Sequence, residues 1–111
     1  MYSRNVSFKL KSKCSAEFTR ILEGQIIPLL RRQKGFEDEI SFIAPERNAA
    51  VAISLWEKKD DAEAYSRKTY PEILKSLSNV IEGTPVVESY EVSNSTSHPL
   101  RAQYQTCRVR W

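Results

Sequence analysis

Apolar and polar residues alternate at the start of the chain, and a period of two predicts a short strand with one apolar face. Its apolar positions are Val6, Phe8 and Leu10. From Ser15 onward the apolar residues recur every three or four positions, which predicts an amphipathic helix that ends at Gly35. Ser15 fits the N-cap of this helix. Pro28 is expected to bend it, because proline removes one backbone hydrogen bond.

Two extended segments follow, separated by turn-forming residues at positions 45–48. The first has apolar residues at Ile40, Phe42, Ile43 and Ala44. The second segment, over positions 49–56, has no charged residue on either face. The pattern predicts a hairpin whose second strand is buried on both sides.

A second helical region is predicted to begin at Asp60. Asp60 and Glu63 have the spacing of a capping box, with aspartate in place of serine or threonine. Pro71 fits the first turn of a further helical segment. The apolar stripe then continues through Ile81, and Gly83 is expected to end the helix.

With a last strand over positions 86–92, the order is strand, helix, strand, strand, helix, strand. This order predicts an α+β fold of the ferredoxin-like split β-α-β-β-α-β type, with an antiparallel sheet and helices on one face. Ile43 and the uncharged third strand suggest that the other face is also covered. A second copy of the chain is the simplest cover, so we expect a homodimer.

Length and composition support one globular domain, which we place at residues 1–92, followed by a linker and arm at 93–111. Residues 1–92 hold 14 basic and 14 acidic residues, so the net charge of +3 comes from three arginines in the arm. A neutral body argues against nucleic-acid binding. No apolar run is long enough to span a membrane and no signal peptide is evident, so a cytoplasmic protein without a membrane partner is expected.

Few residues have a pattern typical of catalysis. Cys14 and Cys107 are expected to be free thiols, and His98 lies in a turn-rich linker without a matching partner. Trp56 ends the third strand, and Tyr65 follows nine residues later. The two aromatic side chains could form the wall of a pocket for a planar ligand, or they could simply fill the core between helix and sheet.

The segment from Pro28 to Gly35 and Phe36, the paired strands, and Leu55-Trp56-Glu57 before an acidic helix resemble the antibiotic biosynthesis monooxygenase superfamily. The resemblance covers residues 3–92. It implies a dimeric α/β barrel with a small-molecule pocket in each subunit. In the enzymes of the family, it implies oxygenation of phenolic or quinol-like substrates without a metal or flavin cofactor.

Tyr65 occupies a place where haem-degrading members of the family also have an aromatic residue, but the chain differs at other functional positions of the family. Anthrone-oxidising members have Asn, Tyr and Arg at the places of Ala52, Ala62 and Ser76. Haem-degrading members have an iron-binding His at the place of Lys75 and an Asn at the place of Ser7. Without the His, haem chemistry loses its iron ligand.

Two hypotheses about function follow. The first is a cofactor-independent monooxygenase that acts on a small phenolic or quinol-like compound, with Trp56 and Tyr65 binding the substrate. The second is a non-catalytic small-molecule binding or interaction module on the same dimeric barrel. The arm has its own alternatives: Cys107, Val109 and Trp111 alternate with arginines, which predicts an added strand docked on the body, while a flexible tail is the other interpretation.

Overall fold

The structure is a computed structural model that describes residues 1–97. Its elements follow the predicted order, with the helical regions divided into shorter segments. The strands are β1 Tyr2–Leu10, β2 Phe36–Ala44, β3 Ala49–Trp56 and β4 Ile81–Glu91. The helices are α1 Ser15–Ile21, α2 Ile27–Arg31, α3 Lys59–Lys68 and α4 Tyr70–Leu77.

The four strands form one antiparallel sheet in the order β2-β3-β1-β4. Helices cover one face of the sheet, and the core of buried side chains lies between them and the strands. The predicted ferredoxin-like α+β fold is confirmed. The largest fully buried side chains are Trp56, Phe18, Leu10 and Leu77.

The first helical region is interrupted one turn before Pro28. Residues Leu22–Ile26 form a π-helical segment between α1 and α2. The missing N–H of Pro28 cannot bond to the carbonyl of Gly24, which explains why regular α-helical bonding fails at this place. The helix ends at Arg31, and Gly35 has a φ of 78° in the turn before β2, so it is not the residue that ends the helix.

The two predicted helix starts are also wrong. Ser15 is the first residue of α1, and Cys14 occupies the N-cap without a side-chain hydrogen bond. Asp60 lies in the first turn of α3, because that helix begins at Lys59. An acidic residue in this turn favours the helix through its dipole, and this effect does not require the N-cap position.

The last strand is longer than predicted. The helix before it ends at Leu77, and Ile81 is the first residue of β4. Gly83, with a φ of 66°, lies where the β1–β4 register shifts, so it belongs to a bulge and not to a helix end. Ile81 fits both an apolar helix stripe and a buried strand position, so its apolar character alone could not place this boundary.

Ile43 lies on the opposite face of the sheet from the one predicted. It pairs with buried Ala50 and packs against the core beneath the helices. The uncovered face instead presents Ile40 and Phe42, whose side chains are 54% and 52% exposed. In the single chain β3 is therefore buried only on its helix side, and its other face is partly exposed. Residues 98–111, including the predicted arm strand, lie outside the described residues.

Candidate functional site

A narrow cavity lies between the helices and the covered face of the sheet. Its volume is about 410 Å³ when the open mouth is included, but the enclosed part is only about 30 Å³, little more than a water molecule needs. The π-helical segment forms part of its wall through Leu22 and Ile26. The apolar lining is completed by Val6, Phe8, Phe18, Leu30, Ala52, Ile73 and Leu77.

Three polar residues cross the floor of this cavity in a single row. Arg4 pairs with Ser54 across β1 and β3, and Ser54 pairs with Glu39 across β3 and β2. All three residues line the cavity. Since neighbouring strands lie about 4.8 Å apart, Arg4 and Glu39 begin roughly 10 Å apart at the backbone. The row places a cation and a carboxylic acid at two ends of one apolar pocket.

Arg4 is a buried cation. The residue is only 4% exposed. Its guanidinium carbon lies 4.0 Å from the ring centre of Tyr70 and 5.4 Å from that of Tyr65, and Nη2 donates a 3.4 Å hydrogen bond to Ser66 Oγ. Among residues 1–97 no carboxylate lies within 4 Å of it. Two aromatic faces and one hydroxyl therefore replace the ion pair that a buried arginine usually has.

Glu39 is half-buried at the other end of the row. Burial raises the pKa of Glu39 above its ordinary value, and the nearby Asp38 charge adds to this rise. A hydrogen bond donated by the Ser41 hydroxyl opposes it. Glu39 also lines an open groove beside Arg31 and the start of β2. It therefore lies between the buried cavity and the surface, where a proton can be exchanged with solvent.

Two tyrosines complete the polar lining. Burial raises the pKa of Tyr65, and the neighbouring Arg4 charge offsets this only in part. Burial likewise raises the pKa of Tyr70. Both phenols therefore stay neutral near pH 7 and keep a proton that they could donate to a ligand. The Tyr70 hydroxyl is buried and has no hydrogen-bond partner within residues 1–97.

Trp56 supports this site from inside the core. It is 0% exposed, and its Nε1 donates a 2.8 Å hydrogen bond to Ser54 Oγ. Its ring also contacts Tyr65 and Phe36, with centroid distances of 4.8 Å and 5.6 Å. Trp56 thus contacts two residues that line the cavity, Ser54 and Tyr65. Direct ligand contact by Trp56 and Tyr65 stays a prediction.

The positions compared with functional residues of the antibiotic biosynthesis monooxygenases are divided between the core and the surface. Ala52 lines the cavity and Ala62 is buried. Lys75 and Ser76 are exposed on α4, where the Ser76 hydroxyl donates to the Glu72 carbonyl. Ser7 is exposed on the uncovered face of the sheet. The last three positions therefore face solvent.

The sequence prediction missed Arg4 and Glu39. Arg4 could have been found, because it occupies the phase of β1 that otherwise holds Val6, Phe8 and Leu10. Glu39 could not, since its place depends on the pairing of β2 with β3. Within residues 1–97 no cluster of three or more His, Cys, Asp or Glu could hold a metal ion. No helix in this part of the chain has the length and apolar content needed to cross a membrane.

No protein-family model matches the chain, and no curated protein matches it in sequence. Solved structures do match its fold. SnoaB, a cofactor-independent oxygenase from Streptomyces nogalater, is 15% identical with a TM-score of 0.71, over 87% of this chain and 97% of SnoaB. A Nitrosomonas europaea protein of unknown function is 13% identical with a TM-score of 0.72, over 86% of this chain and 91% of its own.

A third structure is named for the antibiotic biosynthesis monooxygenases and comes from Bordetella bronchiseptica. It is 17% identical with a TM-score of 0.70, and the match covers 82% of this chain and 95% of that protein. Identities this low establish a shared fold and leave the activity open. The chain has the ferredoxin-like fold of solved antibiotic biosynthesis monooxygenases, as the resemblance around Trp56 predicted.

Proposed function

We propose that the protein is a cofactor-independent monooxygenase of a small phenolic or quinol-like compound, which binds in the cavity between the helices and the sheet. The observation that supports this most directly is the row of Arg4, Ser54 and Glu39 across an otherwise apolar pocket. Such a pocket can bind a planar ring, remove a proton from it and hold the resulting anion. The shared fold with SnoaB is consistent with this class of reaction.

Glu39 is the proposed general base. Its raised pKa makes it a stronger base than an ordinary carboxylate, and its place beside the open groove allows the proton to leave. Loss of a proton from an activated CH₂ group, as in an anthrone, gives an electron-rich anion that reacts with O₂. With one proton returned from Glu39, the product is a hydroperoxide. Loss of water then leaves a carbonyl, so one oxygen atom enters the substrate and the other leaves as water.

Arg4 and Tyr65 would stabilise the anion. The guanidinium cannot lose its charge near neutral pH, and burial strengthens its electrostatic effect because little water screens it. The neutral Tyr65 phenol can donate a hydrogen bond to a substrate oxygen. Neither Arg4 nor Tyr65 has to gain or lose a proton during the reaction. The residues therefore orient the substrate and favour its charged form, while the electrons that reduce O₂ come from the substrate.

The narrow interior requires a wall to move when a ring enters. Leu22 and Ile26, which line the cavity, belong to the π-helical segment. Gly24 lies between them, and a Cβ added to it would have no heavy atom within 4 Å. Bulges of this kind are frequent at functional sites. We place the adjustable wall at this segment, because a glycine facing open space can change conformation without disturbing a packed neighbour.

Oxygen uptake by chelator-treated protein with anthrones and hydroquinones tests the proposal. Glu39→Gln should lower the rate by roughly 100-fold or more, the usual contribution of a general base. Glu37→Gln is the matched control, because Glu37 is an exposed residue on the same strand. Absence of oxygen uptake by the wild type, or equal rates for both variants, would contradict the assignment.

The second candidate is a non-catalytic binding module on the same fold. Complete burial of Trp56, with its N–H bonded to Ser54, favours this candidate because the indole already has all its contacts within the core. A binding module would take up the same ligands without consuming oxygen. Calorimetric binding of an anthrone together with no oxygen uptake would favour it over the enzyme.

We also propose that the uncovered sheet face joins two copies of the chain. Ile40 and Phe42 on β2 lie on this face together with Val86 and Tyr90 on β4, and all four are more than half exposed. An exposed apolar surface on two strands of one sheet is costly in water. A two-fold partner would place the same patch against itself and cover it.

A further inference from the structure

We infer that the cavity recognises its ligand through an anionic oxygen that pairs with Arg4, so that the preferred ligand is a phenolic or quinol-like compound that also bears an acidic group, and a neutral compound of the same shape binds more weakly. This inference rests on the proposed binding site and specifies the class of compound that it binds. It follows from a charge that the described part of the protein leaves uncompensated.

The buried guanidinium of Arg4 lacks a counter-ion. Arginine remains charged at all ordinary pH values, and a buried charge is costly unless it is paired. The faces of Tyr65 and Tyr70 and the Ser66 hydroxyl supply partial compensation only. A guanidinium that is 4% exposed and lines a cavity is therefore prepared to accept an anion that enters this cavity.

Glu39, the acidic residue among those that line the cavity, does not provide that anion. It lies two strands away from Arg4 in the same row, at a backbone separation of roughly 10 Å. Its carboxyl group accepts a hydrogen bond from Ser41 on its own strand. On the other side of Arg4, β4 contributes Ser89, which is uncharged. An external anion is thus the partner that the geometry favours.

The separation of Arg4 and Glu39 also sets the orientation of the ligand. An anionic group would lie against Arg4, and the aromatic ring would pass Tyr65 in the apolar part of the cavity. The opposite edge of the ring would then face Glu39, where the proposed deprotonation takes place. A neutral amide of the same shape would fill the same space but leave the Arg4 charge unpaired.

Calorimetric titration of the full chain with 6-hydroxy-2-naphthoate and with 6-hydroxy-2-naphthamide tests the inference. The acid should bind at least tenfold more tightly than the amide. Arg4→Met should abolish this preference, while Arg4→Lys should retain part of it, since the charge is kept and the planar fork is lost. Arg20→Met is the matched control, because Arg20 is exposed and already paired with Glu17.

Thermal unfolding of the same variants separates a binding role from a structural one. Arg4→Met removes an uncompensated buried charge, so its thermal midpoint should equal or exceed that of the wild type. A lower midpoint for Arg4→Met, equal affinity for acid and amide, no binding of either, or an acid preference that survives Arg4→Met would overturn the inference. Binding of the acid without oxygen uptake would support the inference and contradict the oxygenase. Oxygen uptake with neutral anthrones but not with aromatic acids would support the oxygenase and contradict the inference.

Discussion

The ring of Tyr65 lies against the indole of Trp56, with centroids 4.8 Å apart and planes inclined by 31°. This contact joins α3 to the end of β3. Because Tyr65 lines the cavity and Trp56 is fully buried, the position of one cavity wall depends on the packing of the core beneath it. Substitution of Trp56 therefore affects the stability of the fold and the shape of the site together.

Trp56→Ala should lower the free energy of unfolding by about 3–5 kcal/mol, since it removes a large buried aromatic side chain. Trp56→Phe should cost less, because a ring still packs against Tyr65 while the hydrogen bond to Ser54 is lost. Urea denaturation measures both variants. An alanine variant as stable as the wild type would show that the indole is not packed as described. The phenylalanine variant is the suitable one for activity measurements, since it is expected to stay folded.

Glu39→Gln should stabilise the fold near neutral pH. Burial raises the pKa of Glu39, so its neutral form is favoured in the folded state. The contribution of Glu39 to stability is therefore fully present below the pKa of this group in the unfolded state, and it is lost as the pH rises through its pKa in the folded state. The amide has no charge to bury, so the gain over wild type should appear above this range and disappear near pH 4. Thermal midpoints measured from pH 4 to pH 8 for Glu39→Gln and Glu37→Gln check this, and a constant difference across that range would contradict it.

The same carboxyl group predicts the pH dependence of turnover. A general base must be deprotonated, so kcat/KM for oxygen uptake should rise with pH through the raised pKa of Glu39, above the ordinary value of 4.5. Glu39→Gln should lack this rising limb. A wild-type profile that is flat from pH 4 to pH 8 would remove Glu39 from the proposed role, whatever the absolute rate.

Gly35→Ala should destabilise the protein strongly. Gly35 has a φ of 78°, and a Cβ at this position would overlap Asp61 Oδ2 and lie 2.7 Å from the Cβ of Asp61. Gly83→Ala is the matched control, because Gly83 has a φ of 66° but open space around it. The control should show only the cost of the left-handed conformation, about 1–2 kcal/mol. Chemical denaturation of both variants measures the difference, and equal losses would show that the contact with Asp61 has no effect.

Phe42→Lys should weaken association of two chains without unfolding either one. Phe42 is 52% exposed on the uncovered face, so a charge there is tolerated in the single chain but disfavoured in an apolar interface. Val87→Lys is the control, since Val87 is 41% exposed but faces the helix side of the sheet. Sedimentation at micromolar concentration measures both variants. A monomeric wild type, or equal association of the two variants, would contradict the dimer proposal.

The prediction of the fold from the sequence depended on periodicity. The alternation in β1, the helical spacing after Ser15 and the hairpin signal at positions 45–48 are local, because each reflects the direction of successive side chains along one element. They sufficed for the order of elements and for the α+β class. They also contained a signal for Arg4, a charged residue at an otherwise apolar strand position.

The tertiary structure decided which face of each strand is covered. In β2 both phases contain large apolar residues, so periodicity could not tell that Ile43 faces the helices while Ile40 and Phe42 face outward. Pairing with β3 sets that choice, and a slip of one residue would reverse it. The same pairing brings Glu39 into one row with Ser54 and Arg4. Glu39 and Ser54 follow Arg4 by 35 and 50 positions along the chain. Only the folded sheet can bring residues so far apart in sequence into one row.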